Sequence, residues 1–111
     1  MTRFEFGDLV VNTLKRLVTR HGVAVKLTPK EYDLLVVLVY HAGRVVMHKQ
    51  ILREVRGPAH TDDAQYLRVF VGQLRAKIEE NPVSPKLILN EAGVGYRFCD
   101  LTRSTGKADP G

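Results

Sequence analysis

From Ala64 to Ile78 the chain reads AQYLRVFVGQLRAKI, a stretch without a single acid. Leu67, Val71, Leu74 and Ile78 recur at steps of four, three and four, which is the spacing of one face of an α-helix. With those four turned inward at about 100° per residue, Gln65, Val69, Gly72 and Ala76 fall on the outward face. Arg68 and Gln73 sit on its shoulders. Arg68 and Arg75 share one flank, and Lys77 lies on the other. Amides and guanidinium groups match the edges of bases, glutamine preferring adenine and arginine preferring guanine. Basic flanks suit the phosphates on either side of a groove. A glycine in an exposed helix interior costs about 1 kcal/mol against alanine, so Gly72 asks for a compensating role, and close approach of the backbone to a duplex supplies one. A solvated amphipathic helix with several arginines is the plainer alternative. The glycine crest and the missing acids favour base readout by Gln65, Arg68, Val69, Gly72 and Gln73. Phosphate contacts are expected from Arg75 and Lys77, with Thr61 and Arg56 ahead of the helix.

Such a helix must be held by others. Residues 3–27 contain four short runs rich in β-branched or aromatic residues, RFEF, LVVN, RLVTR and VAVKL, separated by turn residues. They predict an antiparallel four-stranded sheet, with His21-Gly22 as a tight turn. A sheet this small needs helices to pack on. LTPKEYDLLVVLVYHAG then predicts a first helix over about 28–42, with Thr28 as N-cap, Pro29 at the first position, Glu31 closing a capping box and Gly43 as the stop. Its residues are apolar nearly all round, so it is the candidate central helix. HKQILREV predicts a second helix over 48–56, burying Ile51, Leu52 and Val55. The third helix is expected over 62–80, ended by Asn81-Pro82, with Asp62 and Asp63 at the favourable end of its dipole. KLILNE and GYRFC predict a hairpin over 86–99 with Gly93-Val94-Gly95 at its tip. There Tyr96 and Phe98 alternate inward and Arg97 outward. The tail 101–111 is polar and is expected to be disordered. The fold class is thus α+β: a winged helix-turn-helix with an N-terminal four-stranded sheet, a three-helix core and a C-terminal β-hairpin wing, as one domain over 1–100.

With 111 residues and a formal charge of +5, the chain is expected to meet an anionic partner, nucleic acid before a membrane surface. No apolar run approaches a membrane span, and the start lacks a signal peptide's apolar centre. The lone Cys99 has no partner for an intrachain disulfide, and a cytoplasmic location is expected. His21, His41, His48 and His60 are scattered, and no pair has metal-ligand spacing. No catalytic residues, metal or cofactor are expected. Protein contact or RNA binding are the competing uses of a winged helix. The first favours an apolar patch and the second aromatic stacking, and aromatics are only 7% of this chain.

The motifs LTPKEYDLL, HKQILREV-RG, YLRVFVGQLRAKIEENP and NEAGVGYRF, in this order, resemble the DNA-binding effector domain of OmpR/PhoB-type response regulators, and within them those that control potassium uptake. The likeness runs from Phe4 to Phe98. It implies transcriptional control by sequence-specific binding to double-stranded DNA, with the helix after Asp62 as recognition helix and Gly93, Val94, Gly95 and Arg97 in the wing. It implies that the loop of Gly57, Pro58, Ala59 and His60 contacts RNA polymerase. It also implies direct-repeat half-sites bound by a head-to-tail dimer that is a monomer when free. In a full-length protein a receiver domain and a sensor kinase would precede these events. No segment here reads as a receiver, so the chain is expected to be an effector domain, excised or free-standing. Three positions depart from the family pattern. Ala92 replaces a common arginine before the first wing glycine, Arg56 replaces a common tryptophan, and Met47 stands where Ser or Thr usually caps the second helix, at a cost of about 1 kcal/mol.

Overall fold

The computed structural model describes residues 2–99. The tail expected to be disordered lies outside the described residues. They fall into two compact units, residues 2–26 and residues 27–99.

The first unit is an antiparallel sheet of β1 (Arg3–Phe6), β2 (Leu9–Asn12), β3 (Leu17–Arg20) and β4 (Val23–Ala24), in that spatial order. Alternation puts Phe4, Phe6, Leu9, Val11 and Val18 on one face, paired Phe4 to Val11, Phe6 to Leu9 and Val11 to Val18, and all five are buried. His21 and Gly22 both hold a positive φ, 52° and 78°, between the paired Arg20 and Val23. This is the turn geometry whose twist suits a two-residue hairpin. Strand β4 is only two residues long, shorter than its apolar run suggested.

The second unit holds three helices that pack pairwise: α1 (Pro29–Tyr40), α2 (His48–Arg56) and α3 (Ala64–Ile78). The capping box of α1 forms as expected. The Thr28 hydroxyl accepts from the Glu31 N–H at 3.2 Å, and the Glu31 carboxylate accepts from the Thr28 N–H at 3.0 Å. Tyr32, Leu34, Leu35, Val37, Leu38 and Val39 are buried, which makes α1 the most enclosed of the three. It ends at Tyr40, before Gly43; the glycine (φ 87°) instead turns the chain and donates to the Phe98 carbonyl at 2.7 Å.

Four features lie beyond the sequence reading. Val45–Met47 forms a strand, β5, that pairs with β7 (Gly95–Phe98), which in turn pairs with β6 (Ile88–Glu91), so the wing hairpin belongs to a three-stranded sheet. Pro58–His60 forms a 3₁₀ turn, and α3 begins at Ala64 rather than at residue 62. Asp63 occupies the N-cap without a side-chain cap bond because its carboxylate is bound elsewhere. Helix α3 also stops two residues early, at Ile78, where Glu79 turns extended (φ −85°, ψ 141°). Among the described residues no helix is long and apolar enough to cross a membrane.

Candidate nucleic-acid interface

Helix α3 divides into the two faces its spacing predicts. Leu67, Val71, Leu74 and Ile78 are buried, joined by Phe70. Gln65, Arg68, Val69, Gly72, Gln73 and Ala76 are all exposed. Arg68 makes no hydrogen bond or ion pair with the rest of the described protein. A Cβ added at Gly72 would meet nothing within 4 Å, so no packing within the protein calls for the glycine.

The other basic residues expected to meet phosphates are placed differently. Arg75 donates from Nε (3.2 Å) and Nη2 (2.7 Å) to the Ile88 carbonyl, with its guanidinium 5.8 Å from the Tyr96 ring centroid. Lys77 pairs through Nζ with the buried Glu31 carboxylate at 2.6 Å, joining the end of α3 to the start of α1. Arg56 donates to Asp63 at 2.7 Å and lies over the Tyr66 ring, 4.1 Å from its centroid. His60 stands 3.3 Å from the same Asp63 carboxylate. Each of these cations finds an acceptor or an aromatic face within the protein. Arg56 thus orders the loop in which a tryptophan was missing. Within that loop Pro58 and Ala59 are exposed, while Gly57 (φ 104°) and His60 are half-buried.

Glu31 and Glu79 are the two buried acids among the described residues. Burial works to raise the Glu31 pKa, but the Lys77 hydrogen bond and charge and the bonds at Thr28 outweigh it and hold the carboxyl below its ordinary value. Glu79 accepts from the N–H groups of Lys86, Leu87 and Ile88 at 2.8–3.1 Å, fixing the strand that enters the wing. One signal could have found it: an acid in the last turn opposes the helix dipole and so needs donors of its own.

The wing turn is Ala92-Gly93-Val94, closed by the Val94 N–H donating to the Glu91 carbonyl at 2.9 Å, with Gly93 at φ 76°. Gly93 and Val94 form its exposed tip. Gly95 is not part of that tip. It is buried in β7 opposite Met47, where a Cβ would overlap the Val46 carbonyl oxygen and come within 2.9 Å of Met47 Cα. Close strand approach, not phosphate contact, requires this glycine. Tyr96 and Phe98 are buried as alternation predicts, and Arg97 is half-exposed in an ion pair with Glu91 at 2.8 Å.

Between α3 and the wing runs a crevice of about 410 Å³ lined by His48, Arg68, Arg75, Asn90, Ala92, Gly93 and Tyr96. Thr61 lines a neighbouring one of about 300 Å³ with Met47, His48, Lys49, Asp62, Ala64 and Val94. The described residues hold no group of His, Cys, Asp and Glu side chains fit for a metal ion. An exposed helix rich in amides, a cationic crevice beside it and a hairpin across that crevice form a surface shaped to receive a groove edge and its backbone.

Residues 22–98 match the family model described as "Transcriptional regulatory protein, C terminal". The chain is 40% identical over 94 residues to the KDP operon transcriptional regulatory protein KdpE of Escherichia coli, covering 85% of this chain and 42% of that protein. It is 38% identical over 91 residues to the DNA-binding response regulator MtrA of Mycolicibacterium smegmatis, covering 82% of this chain and 40% of that one. The chain thus spans about two-fifths of the length of these relatives. Among solved structures, the Klebsiella pneumoniae RstA DNA-binding domain in complex with RstA box aligns with TM-score 0.81 at 28% identity, over 90% of this chain and 99% of that one. The C-terminal effector domain of BfmR from Acinetobacter baumannii aligns at 0.74 with 37% identity, over 89% and 91%. The chain belongs to the family that these matches define: it is a non-catalytic, OmpR/PhoB-type winged-helix DNA-binding effector domain of the kind found in two-component response regulators.

Proposed function

We propose that this domain binds double-stranded DNA sequence-specifically to control transcription of potassium-uptake genes, as the output end of a response regulator in the cytoplasm. The observation that carries it is the outward face of α3, without acids and with Arg68 unpaired. Gln65, Arg68 and Gln73 read base edges, while Val69 offers a thymine methyl an apolar contact. Gly72 lets the helix crest sit deep in the groove. Thr61, Gly93 and Val94 meet the flanking backbone. Arg56, Arg75, Lys77 and Arg97 touch phosphates only by sharing their internal partners, and their first role is to hold α3 and the wing in place. The potassium-uptake assignment leans on the 40% identity to KdpE, with MtrA close behind. The full-length protein would dimerise head-to-tail on direct repeats, contact RNA polymerase through Gly57–His60, and answer to a receiver domain and sensor kinase.

Selection from random duplex DNA, with sequencing of the bound fraction, tests this reading. A recurring half-site in tandem is the expected result, and a match to the operators of potassium-uptake genes carries the finer assignment. Engagement of about five phosphates gives log K against log salt a slope of about −4.5. Enrichment of no sequence, or a slope near zero, refutes the reading; tighter binding to single-stranded RNA or to a protein partner moves the surface to another class.

A further inference from the structure

We propose, building on the duplex-binding reading above, that His48 is a proton-dependent phosphate contact, so that the domain grips DNA more tightly as pH falls through the imidazole range. His48 is the first residue of α2, and it lines both crevices beside the wing. Its position is fixed from two sides. Its backbone N–H donates to the Val94 carbonyl at the wing tip (3.4 Å), and its ring meets the Tyr96 ring edge-on, with centroids 5.5 Å apart at 65°.

The charged and titratable groups lining those crevices around it are Arg68 and Arg75 from α3, Tyr96 from the wing, Asp62 from the loop before α3, and Lys49 from its own helix. Arg68 and Arg75, with no acid in the lining, make the crevice between α3 and the wing a place for an anion, and a phosphodiester is the anion a duplex brings there. Lys49 and Asp62 balance in the neighbouring one. A phosphate oxygen at the ring favours the imidazolium, which offers it a positive charge and an N–H on either nitrogen. Binding therefore takes up a proton, and by linkage affinity rises as pH falls. Because the contact is to the backbone, the effect is the same for every sequence.

Binding of two duplexes, one of scrambled sequence and one recovered by selection, is measured at constant ionic strength from about pH 8 to about pH 6. The wild type should bind both up to about tenfold more tightly at the acid end, tenfold being the consequence of a one-unit preference of the bound state for the proton. His48→Gln should flatten both curves, and His21→Gln, which alters the imidazole beside Asp8 in the β3–β4 turn, should leave them unchanged. His48→Lys should bind at the alkaline end as the wild type binds at the acid end, which keeps the test alive should the glutamine variant fold poorly. A His48→Gln or His48→Lys protein that keeps the wild-type pH profile overturns the proposal while leaving duplex binding intact. A wild type that binds neither duplex at any pH overturns the duplex reading and the proposal together.

Discussion

Arg68 and Arg75 lie seven residues apart on one flank of α3, yet the first makes no hydrogen bond or ion pair within the described protein and the second is bonded twice to the Ile88 carbonyl. The same division runs along the helix. Its front half displays Gln65, Arg68, Val69, Gly72 and Gln73 to solvent, and its rear half sends Arg75, Lys77 and the following Glu79 into the fold. Charge on a groove-facing helix therefore does two separable jobs. One set of side chains is kept free to read, and the other fixes the angle between helix and wing from which reading is done.

The largest effect is expected where that fixing is concentrated. Glu79→Ala leaves three backbone N–H groups, at Lys86, Leu87 and Ile88, without their acceptor. Each lost partner of a buried donor costs about 1–3 kcal/mol, and water repairs part of it at the more exposed Lys86. A loss of about 3 kcal/mol in urea unfolding is expected. A loss below about 1 kcal/mol would mean that the strand into the wing is held by its pairing alone.

The two arginines give a matched pair. Arg75→Ala removes charged hydrogen bonds worth about 1.5–3 kcal/mol of stability and should weaken every duplex alike, since the wing loses its brace. Arg68→Ala should leave stability within about 0.5 kcal/mol, because its exposed side chain makes no hydrogen bond or ion pair within the described protein. It should cost about 1–3 kcal/mol of binding to the selected site and relax preference at one base. Unfolding curves together with binding across variant sites separate the two. If Arg68→Ala weakens all sites uniformly, Arg68 is a phosphate contact and the division along α3 must be redrawn.

Much of this was legible in the sequence, for a physical reason. The capping box at Thr28 and Glu31, the His21-Gly22 turn and the buried stripe of α3 are local patterns, each written within a few residues of itself. The exposed reading face follows from that stripe by helix geometry alone. What escaped notice depends on partners distant in sequence. Strand β5 is three residues that become a strand only by pairing with β7, about fifty residues later. Arg75 and Lys77 look like free cations until Ile88 and Glu31 are brought beside them. Gly95 looks like turn chemistry until Val46 is seen pressed against it.

The Glu31–Lys77 pair extends the holding half of the comparison to pH. The Glu31 carboxyl is held below its ordinary value of 4.5 in the folded state despite burial. The unfolded chain therefore binds this proton more readily, and the stabilisation is full above about pH 5. It is lost as pH falls through the ordinary carboxylate range to the lower folded value. Glu31→Gln, which keeps the shape and removes the charge, should flatten that part of the stability curve and lower stability at neutral pH. Urea midpoints from neutral to acid pH provide the check; an unchanged slope would show that the other carboxylates account for acid sensitivity.

The smallest change bears most directly on the reading half. Gly72 costs the helix about 1 kcal/mol relative to alanine, and open space surrounds the position of the missing methyl group. Gly72→Ala should therefore raise stability by up to about 1 kcal/mol. If the crest of α3 approaches the floor of a groove, the same methyl should hold the helix back and weaken duplex binding severalfold. Stability and affinity would then move in opposite directions from a single carbon atom. Should both rise together, the crest does not touch DNA, and contact must come from the shoulders alone, from Arg68 and Gln73.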